Sequence, residues 1–230
     1  MEDILKKANL GENEALDDLQ LKGLHLIQNK KLFCFGVDSS LLTDVVSAKK
    51  DDRVLDLCTG NGIIPILLSG KTPCKNYIGV EIQEESVSLA KRNVALNNLE
   101  KNIKIFNDDI KTFTLDKEVS VVTCNPPYMF NTGAKNQSEA LTIARHEVLC
   151  SLSDVIDCVN RNLKYGGKFY MVHRADRLVD IMYLLRCKKI EPKILHLIKP
   201  YKDRPPNLVI VEALKGGKQG LITKEITIER

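Results

Sequence analysis

Three features of this 230-residue chain predict an α/β fold with a mostly parallel sheet and helices on both faces. Short apolar strand patterns alternate with helical patterns from residue 53 onward. A glycine-rich turn, TGNG, joins the first of those strands to its helix. Near the carboxyl end, KILHLI and NLVIVEAL are separated only by KPYKDRPP. That connection is too short for a helical crossover, so those two strands are expected to pair antiparallel.

Taken in order, residues 1–36 read as an N-terminal extension that is partly β. LKGLHLIQNKKLFCFG reads as two short strands around Asn29-Lys30-Lys31. VDSSLLTDVVSAKK has a polar start and a helical apolar period, and it opens the main domain, residues 37–215. RVLDLC precedes the helix pattern GIIPILLSG, and YIGVEI precedes QEESVSLAKRNVALNNL. NIKIF and EVSVVTC follow. SLSDVIDCVNRNLKYGG reads as a helix stopped by Gly166-Gly167. KFYMVH, the helix RADRLVDIMYLLRC and the two closing strands complete a seven-stranded sheet, with residues 216–230 as a tail.

Composition excludes several classes. The chain is 43% hydrophobic and 28% charged, an ordinary globular balance. Formal net charge is +4, which permits an anionic partner without demanding one. Seven cysteines with no C-x-x-C spacing argue against a disulfide framework or zinc ribbon. Cys58 and Cys124 read as small buried residues. The four scattered histidines predict no metal. The polar N-terminus lacks a signal-like apolar run, and no window reaches the ~20 apolar residues of a membrane span. A cytoplasmic protein is expected.

Four segments carry chemistry, all at the carboxyl ends of strands, where open α/β sheets bind ligands. In DLCTGNG the strand runs through Asp56 into Thr59-Gly60-Asn61-Gly62, a turn that lets a ligand approach the main chain. YIGVEI ends in Glu81, whose carboxylate can accept from both hydroxyls of a ribose; a surface or helix-start charge is the plainer reading. In NDDI, Asp109 can accept from an exocyclic adenine amine or cap a short helix, and Asp108 competes for the role. VVTCNPPY ends a buried strand on an amide, two prolines and a phenol. The prolines alone would stop the strand. The sharper reading makes the Asn125 side-chain oxygen and the Pro126 carbonyl two acceptors for the N–H groups of a planar amine. Pro126 and Pro127 stiffen that carbonyl, and Tyr128 offers a stacking face.

DLCTGNG, GVEI, NDDI and NPPY together resemble the class I S-adenosylmethionine-dependent amino-methyltransferases, over nearly all of the chain after Gly36. The resemblance implies a Rossmann-like methyltransferase fold, with residues 37–215 as the catalytic domain. It implies S-adenosylmethionine held by Asp38, Asp56, Thr59, Gly60, Asn61, Gly62, Glu81, Ile82, Asp109, Ile110 and Asn125. It implies catalysis by Asn125, Pro126, Pro127 and Tyr128. Asp38 stands in FGVDSSLL, which resembles the F-G-x-D-x-x-L-L segment of nucleic-acid amino-methyltransferases; a helix N-cap is compatible with that role. Cys58 occupies a position where the family usually has glycine, so the turn is expected to have an unstrained backbone there.

FGVDSSLL, NPPYMF, IARHE and KGGKQG further resemble the tRNA-modifying enzymes that methylate adenine N6 beside the anticodon of valine tRNA. The expected partner is therefore tRNA. Arg145 and His146 are expected to support the target pocket or touch phosphate, or to form a salt-bridged helix start. Tyr201, Lys202 and Arg204 are expected to contact RNA, with Lys199, Lys30-Lys31 and Lys215-Lys218 as further basic groups. The alternatives are a glutamine-amide methyltransferase of release factors, a DNA adenine or rRNA guanine methyltransferase, and a non-enzymatic nucleotide-binding module. Oligomeric state is not legible.

Overall fold

The computed structural model describes residues 2–32, 36–127 and 150–228. The described elements are α1 (Glu2–Ala8), β1 (Glu14–Asp18), β2 (His25–Asn29), α2 (Val37–Val45), β3 (Val54–Leu57), α3 (Ile63–Lys71), β4 (Tyr77–Glu81) and α4 (Glu84–Leu96). They continue with β5 (Ile103–Asn107), β6 (Val119–Cys124), α5 (Leu152–Asn162), β7 (Leu163–Arg174), a 3-10 turn (Ala175–Arg177), α6 (Leu178–Cys187), β8 (Ile190–Lys199), β9 (Leu208–Lys215) and β10 (Ile222–Thr227).

Residues alternate across the sheet because successive strand side chains point to opposite faces. Leu55, Leu57, Val122, Cys124, Phe169 and Met171 join Val155, Ile156 and Val159 of α5 and Ile181 of α6 in one core cluster. Val54, Val121, Tyr170 and Val172 join Leu42 of α2, Ile66 of α3 and Val94 of α4 in another. The sheet is thus covered on both faces, as the near-continuous apolar strands require. Pro65 sits inside the first turn of α3, where its missing N–H would have had no helical partner.

The main sheet has the order β10-β8-β9-β7-β6-β3-β4-β5. β9 runs antiparallel to both neighbours, β7 and β8, as the short KPYKDRPP connection required. The pairs β3–β4, β3–β6, β4–β5, β6–β7 and β8–β10 are parallel.

Three local expectations change. The sheet has an eighth strand, β10, within the segment read as a tail. It pairs only with β8, and its mostly exposed residues carry weak apolar patterning. In the N-terminal hairpin β2, which ends at Asn29, pairs with an upstream strand, β1, that was not expected, while the strand expected after Lys31 falls largely on residues 33–35, outside the described residues. The first arm, EALDD, has too few apolar residues to announce itself. Gly166-Gly167 does not stop a helix, since α5 ends at Asn162 and the chain enters β7 directly. The glycines instead lie in a bulge between the pairs Val119–Leu163 and Val121–Lys168, with Gly166 at φ +73°.

No helix among the described residues is long and apolar enough to cross a membrane.

Candidate active site

β3 delivers Asp56 to the floor of the glycine turn. Its buried carboxylate accepts from the Thr59 hydroxyl at 2.6 Å and from the Thr123 hydroxyl of β6 at 2.7 Å. Burial, only partly offset by two neutral donors, pushes the Asp56 carboxyl up to about 7. Both oxygens are engaged inside the protein. Asp56 therefore ties the glycine turn to β6, the strand that Asn125 follows.

Above it the backbone makes a left-handed path. Cys58, Gly60 and Gly62 have φ of 56°, 55° and 82°. The expectation of an unstrained Cys58 is overturned: a Cβ stands in the left-handed region, at a cost of roughly 1–2 kcal/mol against glycine. Its thiol lies 3.8 Å from that of Cys150, so it is half-buried against a second sulfur, whereas Cys124 is fully buried as expected. At Gly60 an added Cβ would meet nothing within 4 Å, which leaves the main chain open to a ligand. At Gly62 it would touch Ala90 of α4 at 3.4 Å, so that glycine serves close packing. Thr59 and Asn61 are buried beneath this path.

Glu81 closes the turn from the end of β4. Its Oε2 accepts from the Gly60 N–H at 3.0 Å and its Oε1 from the Gln83 N–H at 3.0 Å. Each carboxylate oxygen keeps further acceptor capacity for a ribose hydroxyl. Beside it, Ile82 is exposed and Phe106 of β5 is 41% exposed. Ile110 turns into the core instead, at 5% exposure. The Oδ1 of Asp109 accepts from the Lys111 N–H at 2.9 Å, the capping role, which leaves Oδ2 for another donor. Asp108 is exposed and accepts the Asp109 N–H.

At the end of β6, Asn125 is half-buried, Pro126 buried and Pro127 half-buried. The Asn125 amide nitrogen donates to the Ser39 hydroxyl of α2 at 3.0 Å. That fixes the donor end of the amide, and no described donor occupies the Asn125 Oδ1 or the Pro126 carbonyl. Two acceptors are thus left at the strand end. Asp38 is not the N-cap of α2; Gly36 is, and Asp38 is the second helical residue. A Cβ at Gly36 would lie 2.5 Å from the Asp38 Oδ1, so glycine there makes room for the carboxylate. Tyr128, Arg145 and His146 lie outside the described residues.

The topology sorts the basic groups. β8 runs in the same sense as β7, so the Lys199–Asn207 connection lies at the carboxyl edge, beside the end of β7. The Ala175 N–H donates to the Asn207 carbonyl at 3.0 Å and docks the connection there. Tyr201 is 61% exposed, and Lys202 and Arg204 are exposed with it. Lys199 is paired with Glu225. β2 runs antiparallel to α4, since His25 bonds Asn97 and Ile27 bonds Asn93, so Lys30-Lys31 also points toward that edge. Lys215 and Lys218 lie at the opposite edge, and Lys215 is spent on the carbonyls of Asn160 and Leu163. They do not share a face with Asn125.

Sequence reading missed Ser39, Thr123 and Asn93, which place the expected residues. It also missed His173, at the end of β7. Its Nδ1 accepts the Arg174 N–H at 2.8 Å, and burial, assisted by Arg177, pulls it down to about 4. The only signal in the sequence was a polar residue ending an apolar strand.

The Methyltransferase small domain family matches residues 26–181, more than half of the chain. A tRNA1(Val) (adenine(37)-N6)-methyltransferase from Histophilus somni is 29% identical over 158 residues, covering 67% of this chain and 66% of that protein. The matched region thus spans about two thirds of that relative's length. A protein of the same name from Trichodesmium erythraeum is 24% identical over 223 residues, covering 93% of this chain and 90% of that one. Among solved structures, a predicted O-methyltransferase from Agrobacterium tumefaciens superposes with a TM-score of 0.66 at 19% identity, covering 83% and 86% of the two chains. The glycine turn, the acidic end of β4 and the Asn-Pro-Pro end of β6 thus meet at one sheet edge in a chain that belongs to the methyltransferase small-domain family.

Proposed function

We propose that this protein methylates N6 of an adenine in tRNA, the adenine beside the anticodon of valine tRNA, with S-adenosylmethionine as donor. The observation that carries the chemistry is the Ser39–Asn125 hydrogen bond, which holds the amide with its oxygen available beside the Pro126 carbonyl. The names of the relatives supply the substrate.

The residues present fit the donor. Gly60 leaves a main-chain approach that a Cβ would fill, and Glu81 has acceptor capacity for two hydroxyls. Ile82 and Phe106 offer exposed apolar surface for an adenine ring, and Asp109 an oxygen for its amine. Asp56 and Thr59 support that turn from beneath. Asp38 stands at the open end of α2, near Ser39, and suits the cationic methionine end. When bound, S-adenosylmethionine supplies an electrophilic methyl group on a sulfonium.

The target amine is a poor nucleophile because its lone pair is delocalised into the ring. Asn125 Oδ1 and the Pro126 carbonyl accept its two N–H groups and favour tetrahedral nitrogen, returning the lone pair to it. The prolines hold this geometry in advance, so little reorganisation is needed as the bond forms. After transfer the amine carries one N–H more than the neutral product and releases it as a proton toward solvent. Positioning accounts for much of the rate. We assign Tyr128 to stacking on the extruded base, and Arg145 and His146 to supporting the target pocket or contacting phosphate. From the β8–β9 connection, Lys202 and Arg204 hold backbone phosphates while Tyr201 stacks. Such an enzyme works in the cytoplasm.

The test is incubation with labelled S-adenosylmethionine and tRNA from a strain lacking the modification, followed by nucleoside mass spectrometry. Label in N6-methyladenosine is the expected result. Label in protein alone would replace the reading with a release-factor amide methyltransferase.

A further inference from the structure

We infer that Asn93 of α4 is a positioning residue for the glycine turn, and that through it the N-terminal hairpin becomes part of the donor site; this rests on reading that turn as the S-adenosylmethionine site. Asn93 is fully buried. Its Oδ1 accepts from the Ile27 N–H at 2.6 Å, and its amide nitrogen donates to the Ile27 carbonyl and to the Asn61 carbonyl, both at 3.0 Å. Both amide N–H groups are therefore used, one on each of two segments 34 positions apart in sequence (61 minus 27).

The Asn61–Gly62 peptide is gripped at both ends. Its carbonyl accepts from Asn93, and its N–H, on Gly62, donates to the Thr59 carbonyl at 2.9 Å. Gly60 and Gly62 flank Asn61 with positive φ, and glycine crosses between conformations at little steric cost. Nothing in the glycines themselves selects this peptide orientation. The Asn93 donor selects it, just as Glu81 fixes the Gly60 N–H from the other side.

Asn97, one turn later, provides an internal comparison. Its Oδ1 accepts from the His25 N–H at 2.8 Å, and its nitrogen donates to the His25 carbonyl at 2.7 Å and the Asn93 carbonyl at 2.8 Å. Asn93 and Asn97 hold successive outward groups of β2 in the same way, but only Asn93 also reaches the turn. Substitution of Asn93 or Asn97 does not touch the Arg92–Glu14 ion pair that also holds the hairpin.

The experiment compares Asn93→Asp with Asn97→Asp in the full chain, by calorimetric titration with S-adenosylmethionine, steady-state turnover and thermal melting. Aspartate keeps the size and the acceptor but removes both donors. Asn93→Asp is expected to weaken donor affinity about tenfold, with turnover at saturating donor within about threefold of wild type. Asn97→Asp is expected to lower the melting temperature while leaving affinity within about twofold. Equal affinity losses in both, or none in Asn93→Asp, would overturn the inference. Should Asn93→Asp fail to fold, amide exchange on the wild type decides. Saturating donor is expected to slow exchange at Ile27 more than at His25, and equal response at the two overturns the inference. A wild-type protein that binds no S-adenosylmethionine overturns the reading of the site itself.

Discussion

The two halves of the site are built on different principles. On the side proposed for the donor, the groups that shape the glycine turn are already engaged: Asp56 by two threonines, the Gly60 N–H by Glu81, the Asn61 carbonyl by Asn93. On the side proposed for the amine, Ser39 engages the donating end of Asn125, and no described donor occupies the oxygen next to Pro126. The first half is pinned in shape before anything binds. The second, in the proposed mechanism, holds acceptors that no described donor occupies where a nitrogen would change geometry. Binding a common donor needs fit, whereas activating an amine needs unsatisfied polarity, which a folded protein tolerates only at an accessible strand end.

This contrast can be broken from either side. The largest effect on binding is expected for Glu81→Ala, which removes the proposed ribose acceptor and frees the Gly60 N–H. Loss of hydrogen bonds to a charged group predicts about a hundredfold weaker donor binding by calorimetry. A smaller and purely kinetic effect is expected for Ser39→Ala. With the Asn125 amide free to rotate, turnover should drop about tenfold while donor affinity stays within about twofold. A loss of affinity there would show that Ser39 belongs to the donor half.

The Asp56 bridge between the halves has its own signature. Its folded value is raised to about 7, so between about pH 4 and 7 the folded state holds a proton that the unfolded state has released. Its contribution to stability is present in acid and is lost as pH rises through that range. His173 runs the other way: lowered to about 4, it adds stability as pH rises toward 6.5. The slopes oppose, each at most about 1.4 kcal/mol per pH unit. In thermal melts, Asp56→Asn is therefore expected to gain on wild type from pH 5 to about 7 and to level off above that. A constant difference would mean that Asp56 is ionised throughout. Smallest of all is Cys58→Gly, expected to raise stability by about 1 kcal/mol by removing a left-handed Cβ. No gain would mean that the Cys150 contact offsets the strain.

The sequence made the glycine turn, the acidic end of β4 and the Asn-Pro-Pro end of β6 legible because the chemistry proposed for them restricts residue type. A turn open to a ligand needs glycine, a ribose needs a carboxylate, and an N–H acceptor at a strand end needs an amide followed by proline. The strand–helix alternation likewise gave the sheet sense, and the short Pro-rich connection gave the antiparallel strand. What escaped were residues whose role is to hold others. Ser39 and Thr123 sit inside apolar periods and look like ordinary small polar residues. Asn93 sits in RNVALNNL, where nothing local distinguishes it from Asn97 or Asn98. Their roles depend on partners 32 to 86 residues away, which no local pattern encodes. β10 was hidden for a different reason: an edge strand exposed to solvent carries little apolar alternation.

The central claim is that Asn125 serves the amine rather than the donor. It is tested most directly by single-turnover methylation of unmodified tRNA with Asn125→Ala at saturating S-adenosylmethionine, alongside calorimetry on the same protein. The expected result is a rate lower by about 10²–10³-fold with donor affinity within about threefold of wild type. A near-normal rate, or a rate loss fully explained by lost donor binding, would contradict it.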